Sequence, residues 1–178
     1  HADLDPFWAA ADETAALIHI HPSFDAGDKR VNDFGLANGL GRITDAAVAV
    51  ARLISAGHVA KYKQAKFFAP MGAAALPFVL GRLKRNAAIT PGIGDPVAAL
   101  ASIYTDTILH DARVLKFVIE MMGSERIMMG SDMPFPIGDP EPTKVVHASH
   151  LDEEAKRGVL GRTAQGVFRI RPDCWCRT

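Results

Sequence analysis

The sequence predicts an α/β fold in which short parallel strands alternate with helices. Short apolar runs recur along the chain, and runs of this length bounded by turn residues are typical of buried strands. Segments with helical start and stop signals separate the runs. Four such strand–helix units predict a parallel sheet covered by helices. The predicted strands are 17–21, 66–69, 103–105 and 126–130.

The ends of the predicted helices are placed by capping residues. Side-chain oxygens of Asp and Thr satisfy the first free N–H groups of a helix, and glycine adopts the left-handed conformation that ends one. Proline at the first helical position supports the first start. The predicted helices are 5–14, 45–56, 77–84, 112–122, 153–160 and 164–168. Their predicted N-caps are Asp5, Thr44, Asp111 and Asp152, and Gly57 and Gly123 are predicted to end two of them. Two loops are also predicted, a glycine-rich one that ends at Gly41 and one that ends at Pro96.

Composition bounds the kind of protein. The 178 residues are 48% hydrophobic and carry no net charge, so a sizeable core is expected and neither nucleic-acid nor membrane binding is indicated. We expect one domain over 1–170 and a tail over 171–178 that contains Cys174 and Cys176. Two cysteines this close rarely form a structural disulfide, so we predict reduced thiols and a cytoplasmic location.

Three polar residues follow the predicted strands. His21, Asp106 and Asp132 each stand at a strand's carboxyl end, which is the edge that carries the chemistry in βα-repeat folds. Asp132 lies in Gly130-Ser131-Asp132-Met133-Pro134, where proline prevents the strand from continuing. A carboxylate there is a metal ligand, a general base or the N-cap of the next helix. The clustering of the three residues favours a metal site.

Four segments of the chain, in this order, carry a family resemblance. They are 5–8 with 18–22, 72–77 with 81–82, 104–111, and 123–136. Together they resemble the carboxyl-terminal half of the amidohydrolase-related superfamily, in the branch of aminocarboxymuconate-semialdehyde and resorcylate-type decarboxylases. The resemblance implies the last four βα units of a (β/α)8 barrel, with the first four in a missing N-terminal half. A barrel of that kind needs roughly 250 residues.

The resemblance also implies a site. His21 and Asp132 match positions that bind a divalent metal, most often zinc and in some members manganese, and Asp132 is also a candidate general base. Arg82 matches an arginine that holds the carboxylate of a small-molecule substrate, in some members across a dimer interface. His19 and His21 have the spacing of a strand-one His-x-His pair, but Pro22 and the downstream order favour strand five. His19 is then expected to be buried or to support His21.

Two departures from the family lead to two hypotheses. Met71 stands where the family has a proton-transferring histidine, and a thioether neither donates nor accepts a proton near neutral pH. The strand-one ligands are also absent. The first hypothesis is a metal-dependent decarboxylase or hydrolase acting on an unsaturated or aromatic carboxylate. The second is a catalytically degenerate half-barrel without metal that serves as a structural or partner-binding chain. Unpaired sheet edges predict a dimer, or pairing with an N-terminal half, in either case.

Overall fold

The structure, a computed structural model, describes residues 2–23 and 28–170. The predicted tail with Cys174 and Cys176 lies outside the described residues. Within them, no helix is both long and apolar enough to cross a membrane. In chain order the elements are α1 (Asp5–Glu13), β1 (Leu17–His19), α2 (Arg42–Ser55), α3 (His58–Lys61), β2 (Lys66–Phe68), α4 (Pro70–Ala74), α5 (Leu76–Ile89), α6 (Pro96–Leu100), β3 (Thr105–Asp106), α7 (Ala112–Met122), β4 (Ile127–Met128), α8 (Pro142–Ala148), α9 (Glu153–Arg157) and α10 (Thr163–Phe168).

The described strands pair in parallel and in chain order. β1 pairs with β2, with His19 opposite Phe68, and β3 pairs with β4, with Asp106 opposite Met128. A single parallel bridge between Phe68 and Tyr104 joins the two pairs, and backbone hydrogen bonds of 2.8 and 2.9 Å support it. The predicted parallel alternation is therefore confirmed. The strands are shorter than predicted, because the regular backbone pairing between neighbouring strands extends over only two or three residues.

Apolar helix faces cover this sheet and form the core. α2 buries Ala46, Val50 and Ile54, and α7 buries a similar stripe. Spacings of three and four residues place such side chains on one helical face. Trp8 of α1 is 8% exposed and stacks on Tyr62 and Phe67. Trp8 is thus a core residue.

Two predicted N-caps are wrong. α1 begins at Asp5 itself, with Leu4 at the N-cap position and no side-chain capping bond. α2 begins at Arg42 and continues a π-helical turn, Ala37–Gly41. Thr44 therefore lies inside the helix and not at its start. Its hydroxyl donates to the Leu40 carbonyl at 3.0 Å. The predicted glycine-rich loop is helical at its end because helix propensity is a weak preference that tertiary packing overrides.

The other predicted helix caps and stops are confirmed, although the sequence did not predict several short helices. Asp111 and Asp152 accept backbone N–H groups of the first turns of α7 and α9. Gly57 and Gly123 have φ of 75° and 88° just beyond the ends of helices. α5 extends five residues past the predicted end at Lys84. The short helices α3, α6 and α8 fall in segments for which no helix was predicted.

The segment α4, between β2 and α5, is a left-handed turn and not a right-handed α-helix. Met71, Gly72, Ala73, Ala74 and Ala75 all have φ between 52° and 62°. For residues other than glycine this conformation costs about 1–2 kcal/mol each, so the surroundings must hold the turn. The N–H of Ala73 donates to the hydroxyl of Thr105 at 2.6 Å. The N–H of Gly72 donates to Asp106 Oδ1 at 3.4 Å, so both bonds tie the turn to β3.

Gly72→Ala tests how tightly this turn is packed. A Cβ at Gly72 would lie 2.6 Å from Leu109 Cδ2, at a φ of +62°. We expect the free energy of unfolding to fall by about 2 kcal/mol, because the left-handed alanine is strained and Leu109 must move. Urea denaturation followed by circular dichroism measures the change.

Gly81→Ala is the matched control, since Gly81 lies inside α5 with no atom within 4 Å of an added Cβ. The same change there should raise the free energy of unfolding by about 1 kcal/mol. Equal effects at the two positions would show that the turn is not packed as described.

Candidate functional site

A small cavity of about 160 Å³ lies at the carboxyl ends of the strands. Loops after all four strands contribute to its wall. Its polar side chains are those of His19, His21, Asn38, Arg42, Asp106 and Asp132, and its apolar side chains include Met71, Ile108, Phe135 and Ile137. A larger cavity of about 470 Å³ lies near Lys66 and Tyr104, at the amino ends of β2 and β3. Because parallel-strand folds keep their chemistry at the carboxyl ends, the smaller cavity is the candidate site.

His21 follows the end of β1 by two residues and faces this cavity. Its Nδ1 lies 2.7 Å from the backbone carbonyl oxygen of Pro22. A carbonyl oxygen only accepts, so Nδ1 carries the hydrogen and the neutral ring has its lone pair on Nε2. A backbone bond of this kind orients a histidine that binds a metal through its other nitrogen.

His19, the last residue of β1, also lines the cavity. Its ring meets Phe68 edge-on at 4.7 Å and lies 5.8 Å from the ring of His21. Partial burial of the ring, and then the charge of His21, lower the pKa of His19. The residue as a whole is exposed, so the expectation of a buried histidine is wrong. β1 is an outer strand of the described sheet, and no further described strand covers its side chains.

Asp106 ends β3 and is only 3% exposed. Its Oδ1 accepts the backbone N–H groups of Ile108 at 3.1 Å and Gly72 at 3.4 Å. Burial raises the pKa of Asp106 to about 6; backbone N–H groups of Met71, Ile108 and Gly72 oppose this rise, and the charge of Asp132 adds to it. The site thus holds a carboxyl group that titrates near neutral pH.

Asp132 lies in the loop four residues beyond β4 and lines the same cavity as His21. It is half-buried and has a φ of 56°, a conformation that aspartate tolerates better than most residues. The next helix, α8, begins only at Pro142. The N-cap interpretation of Asp132 is therefore wrong, and the metal-ligand and general-base interpretations remain.

The donor atoms fit a divalent cation in kind but fall short in number. Imidazole nitrogen and carboxylate oxygen are common zinc and manganese ligands, and His21 and Asp132 supply one of each. Within the described parts of the chain, no three His, Cys, Asp or Glu side chains are grouped so that they could hold a metal ion. A site with four protein or solvent ligands needs further donors besides these two.

Of two further residues that the sequence singles out, Met71 lies in the cavity wall and Arg82 does not. Met71 lines the cavity from the left-handed turn, at the place where the resemblance implies a proton-transferring histidine. Arg82 lies exposed on α5 and is not part of this cavity wall. The structure therefore does not bring Arg82 to His21 and Asp132 within one chain.

Sequence reasoning missed Asn38 and Arg42. Both line the cavity, and Arg42 Nε donates to Asn38 Oδ1 at 2.6 Å. The glycines around them predicted a loop without a role. The spacing of four residues, which places side chains together on a helix, is the signal that could have found the pair.

Comparison with known proteins identifies relatives of one kind. A family model described as Amidohydrolase matches residues 1–170. The 2-amino-3-carboxymuconate-6-semialdehyde decarboxylase of Dictyostelium discoideum is 24% identical over 177 residues, covering 96% of this chain and 49% of the relative. The 6-methylsalicylic acid decarboxylase of Penicillium expansum is 26% identical over 182 residues, covering 94% and 54%. The chain thus spans about half the length of these curated relatives.

Solved structures show the same fold over the same share of their length. A 5-carboxyvanillate decarboxylase from Novosphingobium aromaticivorans, complexed with manganese, matches with a TM-score of 0.81 and 21% identity over 93% of this chain and 51% of that one. A 2,6-dihydroxybenzoate decarboxylase from Rhizobium matches with a TM-score of 0.75 and 16% identity over 92% and 54%. At these identities the likeness establishes the fold alone.

The raised pKa of Asp106 predicts an unusual pH dependence of stability. The folded chain keeps the Asp106 proton up to about pH 6, whereas the ordinary value is 3.8. The folded state binds more protons between these values, so this group's contribution to the free energy of unfolding falls as pH rises through the window. We expect the parent to lose about 2.4 kcal/mol relative to Asp106→Asn between pH 4 and pH 7.

The measurement is urea denaturation of both proteins from pH 4 to pH 7 with a chelator present, so that bound cations do not contribute. Asp33→Asn, at an exposed position, is the control and should follow the parent at every pH. A constant difference between parent and Asp106→Asn would mean that Asp106 titrates normally.

Proposed function

Because the chain belongs to the amidohydrolase family, we propose that it forms the carboxyl-terminal half of a metal-dependent carboxy-lyase for aromatic or unsaturated carboxylates. The observation that carries the proposal is that His21 and Asp132 line one cavity at the carboxyl ends of parallel strands. The decarboxylase names of the relatives favour carbon dioxide loss over hydrolysis. We place its action in the cytoplasm.

The four described strands correspond in this proposal to the last four strands of a (β/α)8 barrel. Their parallel order along the chain supports the assignment, as does the match to about half of each relative. β1 and β4 are the outer strands of the described sheet, and unpaired strand edges favour association. An N-terminal half or a second copy of the chain would cover them.

His21 and Asp132 would hold the cation, zinc or manganese. When bound, a divalent cation stabilises the negative charge that develops on substrate oxygens. The bond between His21 Nδ1 and the Pro22 carbonyl keeps the ring fixed with its lone pair on Nε2. Asp132 would supply the carboxylate ligand or act as general base. Because the described residues offer too few donors, the remaining ligands in this proposal come from solvent or from the other half of the site.

Decarboxylation of a ring or alkene also needs a proton for the carbon that loses the carboxylate. Met71 cannot supply it, because a thioether has no proton to give. Asp106 lines the same cavity with a pKa of about 6, which lies in the range useful for general acid catalysis. Its Oδ1 accepts backbone N–H groups, so the proton resides on Oδ2. We therefore assign Asp106 as the carboxyl group that holds a proton in the cavity.

Arg82 would act between chains. It is exposed on α5, away from the cavity of its own chain, so it reaches a substrate only in the cavity of a second copy. Its planar guanidinium suits bidentate recognition of a carboxylate. The proposal thus requires a dimer for this contact.

The second candidate function is a catalytically degenerate, partner-binding half-barrel. Met71 in the cavity wall favours it, and so does the shortfall of metal ligands among the described residues. The two candidates differ in whether the chain binds a divalent cation.

Metal content distinguishes them. We expect the parent chain to bind zinc or manganese at His21 and Asp132, and His21→Ala and Asp132→Ala each to lose most of it, because each removes one ligand. Elemental analysis after equilibration with each cation measures the content.

His147→Ala, at an exposed position on α8, should retain the parent's metal content. Variants that bind as much metal as the parent would refute the ligand assignment. A parent without metal would favour the degenerate alternative.

Activity should depend on the missing parts of the site. The chain alone should not decarboxylate aromatic or unsaturated carboxylates, because the metal ligands among its described residues are too few. Met71→His, assayed together with the N-terminal half of a relative, adds a proton-transferring side chain beside Asp106 and should raise turnover by up to about 10²–10⁴.

Carbon dioxide release measures both reactions, with the unmodified chain plus the same N-terminal half as the control. Robust turnover by the unmodified chain alone would contradict the account of the metal ligands.

A further inference from the structure

The turn that leads into α2 forms one wall of the cavity. Asn38 and Arg42 both line the cavity, and the 2.6 Å bond from Arg42 Nε to Asn38 Oδ1 fixes the plane of the guanidinium. The backbone N–H of Ser23 donates to Asp45 Oδ2 at 2.7 Å. This bond ties the first turn of α2 to the loop that carries His21. The position of Arg42 relative to His21 is therefore set by the fold.

Arg42 differs in charge from the other side chains that line the cavity. Among the described side chains that line it, Arg42 carries the only permanent positive charge; Asp106 and Asp132 are carboxyls, and His19 and His21 are imidazoles. A guanidinium stays charged at all relevant pH values and presents five donors in a planar fork. An anionic ligand entering beside two carboxyls needs such a counter-charge, because like charges at short distance repel.

The apolar wall and the volume of the cavity indicate what kind of group can lie beside Arg42. Phe135, Ile137 and Ile108 provide an apolar surface. The cavity volume of about 160 Å³ is below the roughly 300–1,000 Å³ of sites for drug-sized molecules. Within this chain's part of the site, a single planar ring or a short unsaturated chain is the size of group that fits.

We infer that Arg42, oriented by Asn38, binds the carboxylate of a small planar substrate whose ring packs on Phe135 and Ile137. The inference rests on the proposed function and deepens it by assigning the anion-binding residue within the chain's own cavity. It differs from the proposed contact of Arg82, which requires a second copy. Arg42 is in this account the residue that selects anionic over neutral ligands.

Binding of two matched probes tests the selection without any need for turnover. 2-Hydroxybenzoate carries a carboxylate, and 2-hydroxybenzamide has the same ring without the charge. Isothermal titration calorimetry on the full chain at neutral pH measures both affinities. In Arg42→Gln we expect the affinity for the carboxylate to fall at least tenfold, since charged hydrogen bonds are lost. The affinity for the amide should stay within about twofold of the parent's, because the ring contacts remain.

Three further variants sharpen the result. Arg52→Gln removes the same charge from the exposed far end of α2 and should bind both probes like the parent. Arg42→Lys keeps the charge without the fork, and Asn38→Ala removes the acceptor that orients it, so each should show a smaller loss confined to the carboxylate. These two variants decide the question if Arg42→Gln does not fold by circular dichroism.

The outcomes separate this inference from the proposed function. Equal carboxylate affinity in parent and Arg42→Gln overturns the inference and leaves the proposed function standing. Equal losses for the two probes overturn it as well, because they show a structural role for Arg42. A parent that binds neither probe overturns both the inference and the proposed substrate class.

Discussion

The buried carboxyl group of Asp106 is the constraint on which the site depends. It is 3% exposed at the end of β3, and it accepts N–H groups from Gly72 in the left-handed turn and from Ile108 beyond the strand. Buried N–H groups need acceptors, and five consecutive left-handed residues need outside support. The same carboxyl therefore holds the turn that follows β2 against β3. Because Asp106 and Met71 of that turn both line the cavity, this interaction shapes its wall.

In the proposed function the cavity would combine two chemistries. His21 and Asp132 offer donors for a divalent cation, and Arg42 offers a counter-charge for an anion. In the proposed function, the few metal donors among the described residues and the outer strands at both sides of the described sheet would both be completed by a complementary half or a second copy of the chain.

The sequence predicts the parallel alternation and the polar residues at strand ends because each rests on local signals. Apolar runs and capping residues place β1 to β4, α7 and α9, and Pro134 excludes continuation of β4. The start of α2 was not predictable in this way, because glycines at 39 and 41 oppose the helix and packing overrides them. The left-handed turn at 71–75 depends on Thr105 and Asp106, which lie more than thirty residues away. α6 is a different case: Asp95 caps it through Val97 and Ala98, and the Asp-Pro signal was present but overlooked.

The most direct test of the central claim is to locate manganese in crystals of the chain by its anomalous scattering. If His21 and Asp132 hold the cation, one strong peak lies in the cavity, about 2.0–2.2 Å from His21 Nε2 and from a carboxylate oxygen of Asp132. A peak at other residues, with none between His21 and Asp132 at saturating manganese, would contradict it.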